Sequence, residues 1–406
     1  RIRSLERLSR LRKAILEDLK CGFQLLCAAL DVRRVTVHNY SMRNTPPSPP
    51  LTQKGRGATL NMAGRFESRS AEWFDDGWGE DEAIERAAKR PKTVIHIEQA
   101  RSIISKNESP DIRFEHSINP YRGCEHGCVY CYARPSHSYL NLSPGLDFET
   151  QLFAKRNAVE LLRHELRKRG YVASPINFGA NTDPYQPIER TERITRGLIE
   201  VLAECNHPIT IITKSALVCR DIELLAPMAA KNLVTVFLSI SQLDNELTRI
   251  LEPRAATPAN RLRAVRELSS AGIPTGVLVA PIIPFINDEF IERVLDASKE
   301  HGAVAASYTV IRLPYELKDI WKDWLATHFP DRAERVMERI RDLRGGKENV
   351  SEFGARMRGQ GIFGELIRQR FRKSCARLGL SSANLSAPDL TQFKPPRINT
   401  MQGQLF

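Results

Sequence analysis

Hydrophobic positions divide most of the chain into short apolar runs that alternate with longer amphipathic segments. Six runs have the length and β-branched content of buried strands: 116–121, 176–180, 209–213, 234–241, 275–282 and 305–313. Five segments between them repeat apolar residues at helical spacing: 155–170, 191–205, 222–231, 259–272 and 288–300. This alternation predicts an α/β fold in which a parallel sheet carries helices on its outside and closes at least partly into a barrel.

The pattern also predicts five regions along the 406 residues. They are a disordered or non-native leader (1–60), an N-terminal extension (61–110), a partial (β/α)6 barrel (111–315), a mainly helical C-terminal region (316–380) and a flexible tail (381–406). The leader begins with Arg and contains the proline-rich stretch 44–57, which is typical of an extended linker. Met42 and Met62 are therefore alternative candidates for the true start.

Composition adds that the chain is of the globular, non-membrane class. It is 42% hydrophobic and 27% charged, and no apolar run approaches the ~20 residues that a membrane helix needs. We therefore expect a cytoplasmic protein with no membrane partner. Of its eight cysteines three are clustered, which in a reducing compartment favours a metal site over a disulfide framework.

The net charge of +12 comes largely from two basic stretches. Residues 1–50 hold ten Lys/Arg against four Asp/Glu, and residues 354–377 hold seven against the single acid Glu365. A basic helix over 354–377 would suit phosphate contacts. An ordinary solvated helix face explains the same pattern, and the sequence leaves both interpretations open.

The cysteine cluster carries the clearest chemistry. In "RGCEHGCVYCYAR", Cys124, Cys128 and Cys131 directly follow the first predicted strand, and in such folds the site lies at the carboxyl ends of the strands. Thiolates favour iron–sulfur clusters, zinc or copper(I). A four-iron cluster held by three cysteines leaves one iron open to a small molecule, whereas a closed zinc site would have to recruit His126 or His137 as a fourth ligand.

The stretch "CEHGCVYC" resembles the cysteine motif of the radical S-adenosylmethionine (SAM) superfamily. Together, "NPYRGCEHGCVYCYAR" and "GANTDPYQPIE" are similar to its spore photoproduct lyase-like, DNA repair photolyase-related branch over roughly 110–315, and 54–78 resembles the leader of one subgroup. The resemblance implies a partial radical SAM barrel with a [4Fe–4S] cluster on the three cysteines and SAM on the fourth iron. Reductive cleavage of SAM would then give a 5′-deoxyadenosyl radical that abstracts hydrogen from the substrate.

The same resemblance implies roles for residues at the strand ends. Tyr130 would lie beside the adenine, Tyr132 beside the substrate or as a hydrogen relay, and Val279 and Ala280 would support the adenine. The SAM ammonium, carboxylate and ribose would be bound by Asn181, Thr182, Asp183, Lys214, Ser239, Ser241 and Arg254. Loop packing for the tyrosines, turn chemistry for 181–183 and a surface salt bridge for Arg254 are the alternatives.

One departure limits the resemblance. The spore enzyme places a hydrogen-donating cysteine beside the SAM site, but "GANTD" here contains none. Cys205, Cys219 and Cys375 lie elsewhere and are typical of inert buried thiols. The radical-generating half of the chemistry is therefore implied, whereas the thymine-dimer reaction is not.

The C-terminal residues and the family resemblance bear on the substrate and the partners. The last residues, Gln402–Phe406, resemble the peptide by which bacterial repair proteins bind the DNA sliding clamp, although a meaningless terminus is the alternative. We expect a lyase-like enzyme acting on DNA or nucleotides, with a reductant such as flavodoxin or ferredoxin. The other hypotheses are a radical SAM enzyme acting on RNA, protein or a small molecule, and a zinc-containing nucleic-acid-binding protein.

Overall fold

The computed structural model describes residues 55–66, 92–112 and 114–397. Most of the predicted leader and the predicted clamp-binding tail Gln402–Phe406 lie outside the described residues.

The strands occur where the apolar runs predict them, with four additions. Within the described residues they are β1 Val94–Ile97, β2 Ile104–Lys106, β3 His116–Ile118, β4 Tyr121–Arg122, β5 Gln151–Ala154, β6 Ile176–Phe178, β7 Ile209–Thr213, β8 Val234–Ser239, β9 Thr275–Ile282 and β10 Ala305–Val310. The four that the apolar pattern does not predict separately are β1, β2, β4 and β5. They are short, and β1 is exposed along its whole length, so no buried apolar run identifies it.

The helices follow the strands along the chain. The described ones are α1 Asp147–Thr150, α2 Ala158–Leu166, α3 Glu189–Glu192, α4 Ile194–Glu204, α5 Ile222–Ala229, α6 Asn245–Leu251, α7 Pro258–Ser270, α8 Ile291–Glu300, α9 Leu317–His328, α10 Ala333–Asp342, α11 Ala355–Arg358 and α12 Gly361–Leu378. Local sequence sets several ends: the Thr257 side chain accepts from Asn260 N at the start of α7, and Gly379 takes the left-handed conformation that ends α12. No described helix is long and apolar enough to cross a membrane.

The main sheet confirms the predicted fold class. Its strand order is β10-β9-β8-β7-β6-β3-β2, in which the six strands from β3 to β10 pair in parallel and β2 runs antiparallel to β3. Buried residues line up across this sheet: Ile118 pairs with Phe178, Phe178 with Ile211, and Ile211 with Val236. Their side chains are fully buried, so the sheet is held by one continuous apolar row. This is the six-stranded parallel arrangement that the alternation predicts.

A second, smaller sheet was not predicted. Strand β5 pairs in parallel with β1 and antiparallel with β4. Because β4 ends immediately before the cysteines, this sheet fixes the chain on one side of the cysteine loop. We define the cysteine loop as residues 123–134.

The C-terminal helices build a second core beneath the cysteine loop. Trp321 and Trp324 of α9 are fully buried and stacked with ring centroids 5.0 Å apart. They belong to an apolar cluster that also contains Val129 of the cysteine loop and Ile283, which follows β9. Removing this much aromatic surface from water stabilises the region and dries one side of the loop.

Residues 55–66 belong to the same compact unit and pack on the cysteine loop and α9. The backbone N–H groups of Gly57 and Ala58 donate to the buried carboxylate of Glu149 at 3.0 and 2.9 Å, and Thr59 Oγ1 donates to Asp323. The structure describes residues on both sides of the predicted boundary at residue 60, and the boundary itself stays a prediction. The glycine at position 57 permits a close backbone approach.

Candidate functional site

The three predicted ligand cysteines lie in one tight loop after β4. Cys124 and Cys128 are buried, Cys131 is partly exposed, and all three are free thiols. The loop turns on itself, since Cys131 N donates to the carbonyl of Cys128 at 3.2 Å. Gly123 and Gly127 have φ values of +75° and +67°, a conformation that side chains other than glycine rarely adopt.

Gln186 ties this loop to the segment after β6. Its Oε1 accepts from Glu125 N at 3.0 Å, and its Nε2 donates to the carbonyl of Gly123 at 3.1 Å. The side chain is fully buried, so both bonds are shielded from water and hold the start of the loop at the sheet edge.

A buried arginine holds the other end of the loop. Arg134 Nε donates to the carbonyl of Cys128 at 2.9 Å, and its Nη2 donates to that of Gly127 at 3.2 Å. Its counter-ion is Glu149, and neither side chain is exposed. Buried charges persist only when paired and hydrogen-bonded, and here every bond that Arg134 makes besides this ion pair goes to a backbone carbonyl.

The same carboxylate joins the cysteine loop to residues 55–58. Because Glu149 accepts from Gly57 N and Ala58 N, it connects this segment through Arg134 to the ligand loop. A Cβ atom on Gly57 would lie 1.8 Å from the carbonyl oxygen of Gly127. No side chain fits at position 57 unless the loop backbone moves.

A second buried ion pair lies on the side of Tyr130. The Tyr130 hydroxyl donates to Glu252, whose other carboxylate oxygen accepts from Arg261. Arg261 also donates to the carbonyl of Ser239 at 2.8 Å, at the end of β8. This network fixes the tyrosine that the family resemblance places beside the adenine.

Lys214 lies next to this network, at the end of β7. Its Nζ is 5.9 Å from the centroid of the Tyr130 ring. Burial lowers the pKa of Lys214, but the charges of Cys128 and Glu252 outweigh burial, and the net pKa is raised. For Glu252, burial alone would raise the pKa, but the charges of Arg261 and Lys214 hold the net pKa below its ordinary value. A positive Lys214 is therefore held near the ligand thiols.

The carboxylate of Asp183, predicted to bind the SAM ammonium, is already hydrogen-bonded within the protein. Its Oδ1 accepts from Thr213 Oγ1 at 2.7 Å and Tyr185 N at 2.9 Å, and its Oδ2 accepts from Lys214 N at 2.8 Å. His126 Nδ1 lies 3.3 Å from the same Oδ2. Burial raises the pKa of Asp183, but the charge and hydrogen bond of His126 and the other donors lower it to about 2. The carboxylate joins the segment after β6 to β7 and to the cysteine loop, and its ammonium contact stays a prediction.

The neighbouring residues 181 and 182 are also held in place. Asn181 N and Thr182 N donate to Asn119 Oδ1 at 3.0 and 3.4 Å, and Thr182 Oγ1 donates to the carbonyl of Tyr121 at 3.0 Å. These bonds join the segment to residues 119–121, and the local bond from Tyr185 N to Asp183 Oδ1 is the turn chemistry considered as the alternative. The role in SAM binding stays a prediction.

The predicted strand 234–241 contains both serines, but β8 ends at Ser239 and Ser241 lies just beyond it. Ser239 Oγ donates to the carbonyl of Ala280 at 3.0 Å, and Ser241 Oγ donates to Gln242. Both hydroxyl protons are used inside the protein, so toward a ligand these groups can act only as acceptors. The adjoining residue, Val279, is buried in the main core.

Arg254 contacts the first half of the cysteine loop, and Tyr132 lies near the end of that loop. Arg254 Nη2 pairs with Glu125 at 3.0 Å, and its backbone N donates to the carbonyl of His126 at 3.2 Å, so the salt bridge considered as the alternative is present. The Tyr132 hydroxyl donates to the carbonyl of Ala180, while 46% of the residue stays exposed. Tyr132 is thus the residue of the cysteine loop that faces solvent at the mouth of the barrel.

Four buried charged residues that shape the site were not predicted: Arg134, Glu149, Glu252 and Arg261. Each pair joins residues 9 or 15 positions apart in sequence, and no motif spacing indicates them. The only sequence signal is a charged residue inside a mostly apolar or helical stretch, which also describes ordinary surface positions.

The donor set fits an iron–sulfur cluster better than a single metal ion. In the described residues no three His, Cys, Asp or Glu side chains converge as ligands of one ion. His126 Nδ1 instead faces Asp183, and His137 Nε2 bonds to the carbonyl of Gln151 at 2.9 Å, so one nitrogen of each ring is already engaged. In a cubane each iron takes its own cysteine, so thiols in one loop need not converge on a point. Burial raises the pKa of Cys124, and the charges of Asp183, Cys128 and Cys131 raise it further.

The basic stretch 354–377 is less free for phosphate binding than its composition suggests. Arg370 pairs with Glu292 at 2.7 Å and Arg377 with Asp296 at 2.6 Å, both on α8, and Arg368 pairs with Glu365. Arg356 also pairs with Asp111. Four of the seven cations in this stretch are therefore neutralised by acids, as expected of a packed, solvated helix face.

Comparison with known proteins places this site in a family. The Radical SAM superfamily profile matches residues 118–297. An uncharacterised protein of Mycobacterium tuberculosis is 34% identical over 259 residues, covering 63% of this chain and 76% of the relative. Another, from Methanocaldococcus jannaschii, is 27% identical over 206 residues, covering 51% and 73%.

Solved structures of spore photoproduct lyase share the fold. One, complexed with dinucleoside spore photoproduct, has a TM-score of 0.51 at 15% identity and covers 71% of this chain and 81% of that chain. A variant with bound AdoMet and the same dinucleoside has a TM-score of 0.50 at 15% identity, covering 78% and 86%. The profile match spans the cysteine loop and β6 to β9, where the predicted cofactor residues lie. The chain belongs to the radical SAM superfamily of enzymes.

Proposed function

We propose that this enzyme reductively cleaves SAM at a [4Fe–4S] cluster and uses the product radical on DNA or a nucleotide. The observation that carries the proposal is the cysteine loop itself, with three free thiols at the carboxyl ends of parallel strands and Lys214 and Tyr130 beside them. When bound, the cluster and SAM supply a 5′-deoxyadenosyl radical for hydrogen abstraction from a substrate carbon.

The chain's own residues would hold these groups as follows. Cys124, Cys128 and Cys131 supply the three ligands, and the ring of Tyr130, fixed by Glu252, offers a face for the adenine. Lys214 supplies a positive charge for the SAM carboxylate. The apolar core that contains Trp321 excludes water and stray hydrogen donors from beneath the loop.

Nucleic acid as the substrate class is supported by the fold, which is shared with spore photoproduct lyase, one structure of which is complexed with dinucleoside spore photoproduct. The net charge of +12 adds little, because half of the excess lies in residues 1–50 and several cations of the other basic stretch are paired with acids. A reductant such as flavodoxin or ferredoxin would supply the electron. Binding to a sliding clamp through Gln402–Phe406 stays a prediction on residues outside the described ones.

Anaerobic purification followed by reduction tests the proposal. The wild-type protein should be brown, contain about four irons per chain and release 5′-deoxyadenosine and methionine from SAM under dithionite. Cys131→Ala should lose the colour and the cleavage. Cys375→Ala is the matched control, because it removes a half-buried thiol outside the cysteine loop, and it should keep both properties.

Two results would contradict the proposal. A colourless wild-type protein with one zinc would support the metal-containing binding protein instead. Equal SAM cleavage by Cys131→Ala would remove the cysteine loop as the origin of the chemistry.

A further inference from the structure

Arg312, a cation that follows β10, has few partners within the part of the chain that the structure describes. There its Nη1 contacts the sulfur of Met357 at 3.8 Å, and its buried Nε has no hydrogen-bond partner. Among the described residues no carboxylate forms an ion pair with it, although buried polar groups are almost always satisfied.

Asp111 is the acid whose charge acts on Arg312, but it is already paired with Arg356. Arg356 Nε lies 2.7 Å from Asp111 Oδ2, and its Nη2 contacts Oδ1. Arg344 adds another buried cation and spends its Nη1 on the carbonyls of Ala355 and Arg356, at 2.9 and 2.8 Å. Burial, and then the charge of Arg356, lower the pKa of Arg312. The surroundings of Arg312 therefore carry an excess of positive charge.

Arg312 also lies at the mouth of the site. Its guanidinium carbon is 5.5 Å from the centroid of the Tyr132 ring, and Tyr132 directly follows the ligand Cys131. Arg65, whose guanidinium carbon lies 4.2 Å from the centroid of the Tyr315 ring, differs in one respect: it has a carboxylate partner, Glu316, at 2.7 Å. Of these two arginines, Arg312 is the one left without an acid.

We propose that Arg312 binds a phosphate oxygen of a nucleic-acid strand and that an adjacent base stacks on the exposed ring of Tyr132. The inference rests on the proposed function and specifies how its substrate is bound. A planar guanidinium matches two phosphate oxygens, and a base stacks on a tyrosine ring without a requirement for sequence. A phosphate bound to the outer nitrogens of the guanidinium would neutralise the excess charge.

Binding of a fluorescent single-stranded oligodeoxynucleotide by the cluster-loaded enzyme tests this. Arg312→Gln should weaken binding roughly tenfold or more, which is the loss of one charge-assisted contact. The slope of log affinity against log salt should fall by about 0.7, the value for one phosphate on a single strand. Arg312→Lys keeps the charge but loses the planar fork, so it should weaken binding less and keep the slope.

Arg377→Gln is the matched control, because it removes an equal charge that Asp296 already neutralises. It should bind the oligonucleotide like the wild type. Affinity and slope unchanged in Arg312→Gln would overturn the inference. So would intact oligonucleotide binding with a loss of SAM binding, which would assign Arg312 to the cofactor carboxylate. Failure of the proposed function appears separately, as a wild-type enzyme that does not cleave SAM.

Discussion

Two buried ion pairs lie on either side of the cysteine loop. One contacts the backbone of the loop, and the other contacts a side chain of the loop. Among the described residues, the side chains of Arg134 and Glu149 bond, apart from each other, only to backbone groups. These are the carbonyls of Gly127, Cys128, Pro144 and Gly145 and the N–H groups of Gly57 and Ala58. Glu252 and Arg261 instead reach the side chain of Tyr130.

The two pairs therefore have different roles. One determines the path of the loop backbone, and the other determines the electrostatic field around the loop. The first pair bonds to the backbone and determines where the ligand loop runs, and Arg56 also lies within reach of the Glu149 charge. The second pair has an additional cation beside it, because Lys214 is close enough to lower the pKa of Glu252 after Arg261 has done so. The pair on the Arg134 side therefore positions the ligands, and the pair on the Glu252 side sets the charge that a bound cofactor meets.

The largest effect is expected from Arg134→Met. It leaves Glu149 charged in a buried site and abandons the carbonyls of Gly127 and Cys128, so the free energy of unfolding should fall by about 3 to 5 kcal/mol. Iron loading should fall with it. Urea denaturation and iron content of the purified protein measure both.

The control for this change is Arg156→Met, which breaks an exposed pair with Glu192. Exposed pairs contribute at most about 1 kcal/mol, so this variant should denature close to the wild type. Similar losses in the two variants would mean that burial does not distinguish the pairs.

Glu252→Gln should have a smaller effect on stability and a distinct effect on the site. The amide oxygen can still accept from Tyr130, but Arg261 and Lys214 lose their counter-charge, so about 2 to 3 kcal/mol should be lost. Because the lost charge faces the ligands, the reduction potential of the reconstituted cluster should also rise. Potentiometric titration followed by electron paramagnetic resonance measures it, and an unchanged potential with lost stability would reduce Glu252 to a structural role.

These two pairs also show what the sequence could predict. The six parallel strands follow from apolar runs such as 209–213 and 275–282, because burial on both faces of a sheet imposes that composition. The ligand cysteines follow from local spacing. The ion pairs do not, because Glu252 and Arg261 are recognisable as partners only once a strand end and two helices have been packed together. The sequence predicts Asp183 as a site residue because a carboxylate suits a cation, but its contacts with Thr213 and His126 can be seen only in the folded structure.

Asp183 gives an acid-dependent test of a third buried charge. Its folded-state pKa of about 2 lies below its ordinary value, so its contribution to stability is present above about pH 4 and is lost as the pH falls toward 2. The shift corresponds to about 2 kcal/mol. Asp183→Asn should lack this acid-dependent loss, which urea denaturation of both proteins across that range would show. Parallel curves for the two proteins would contradict the assignment.

The smallest change in stability is expected at Arg254, whose pair with Glu125 leaves the arginine side chain 37% exposed. Arg254→Gln should cost less than about 1 kcal/mol. Its guanidinium has five donors and spends only some of them on Glu125, so the others remain for the SAM carboxylate, and KM for SAM should rise severalfold with little change in kcat. Arg156→Gln, at an exposed pair outside the site, should leave KM unchanged. If Arg254→Gln lowers stability slightly and leaves KM as it was, Arg254 only fastens the cysteine loop, and the SAM carboxylate is left to Lys214.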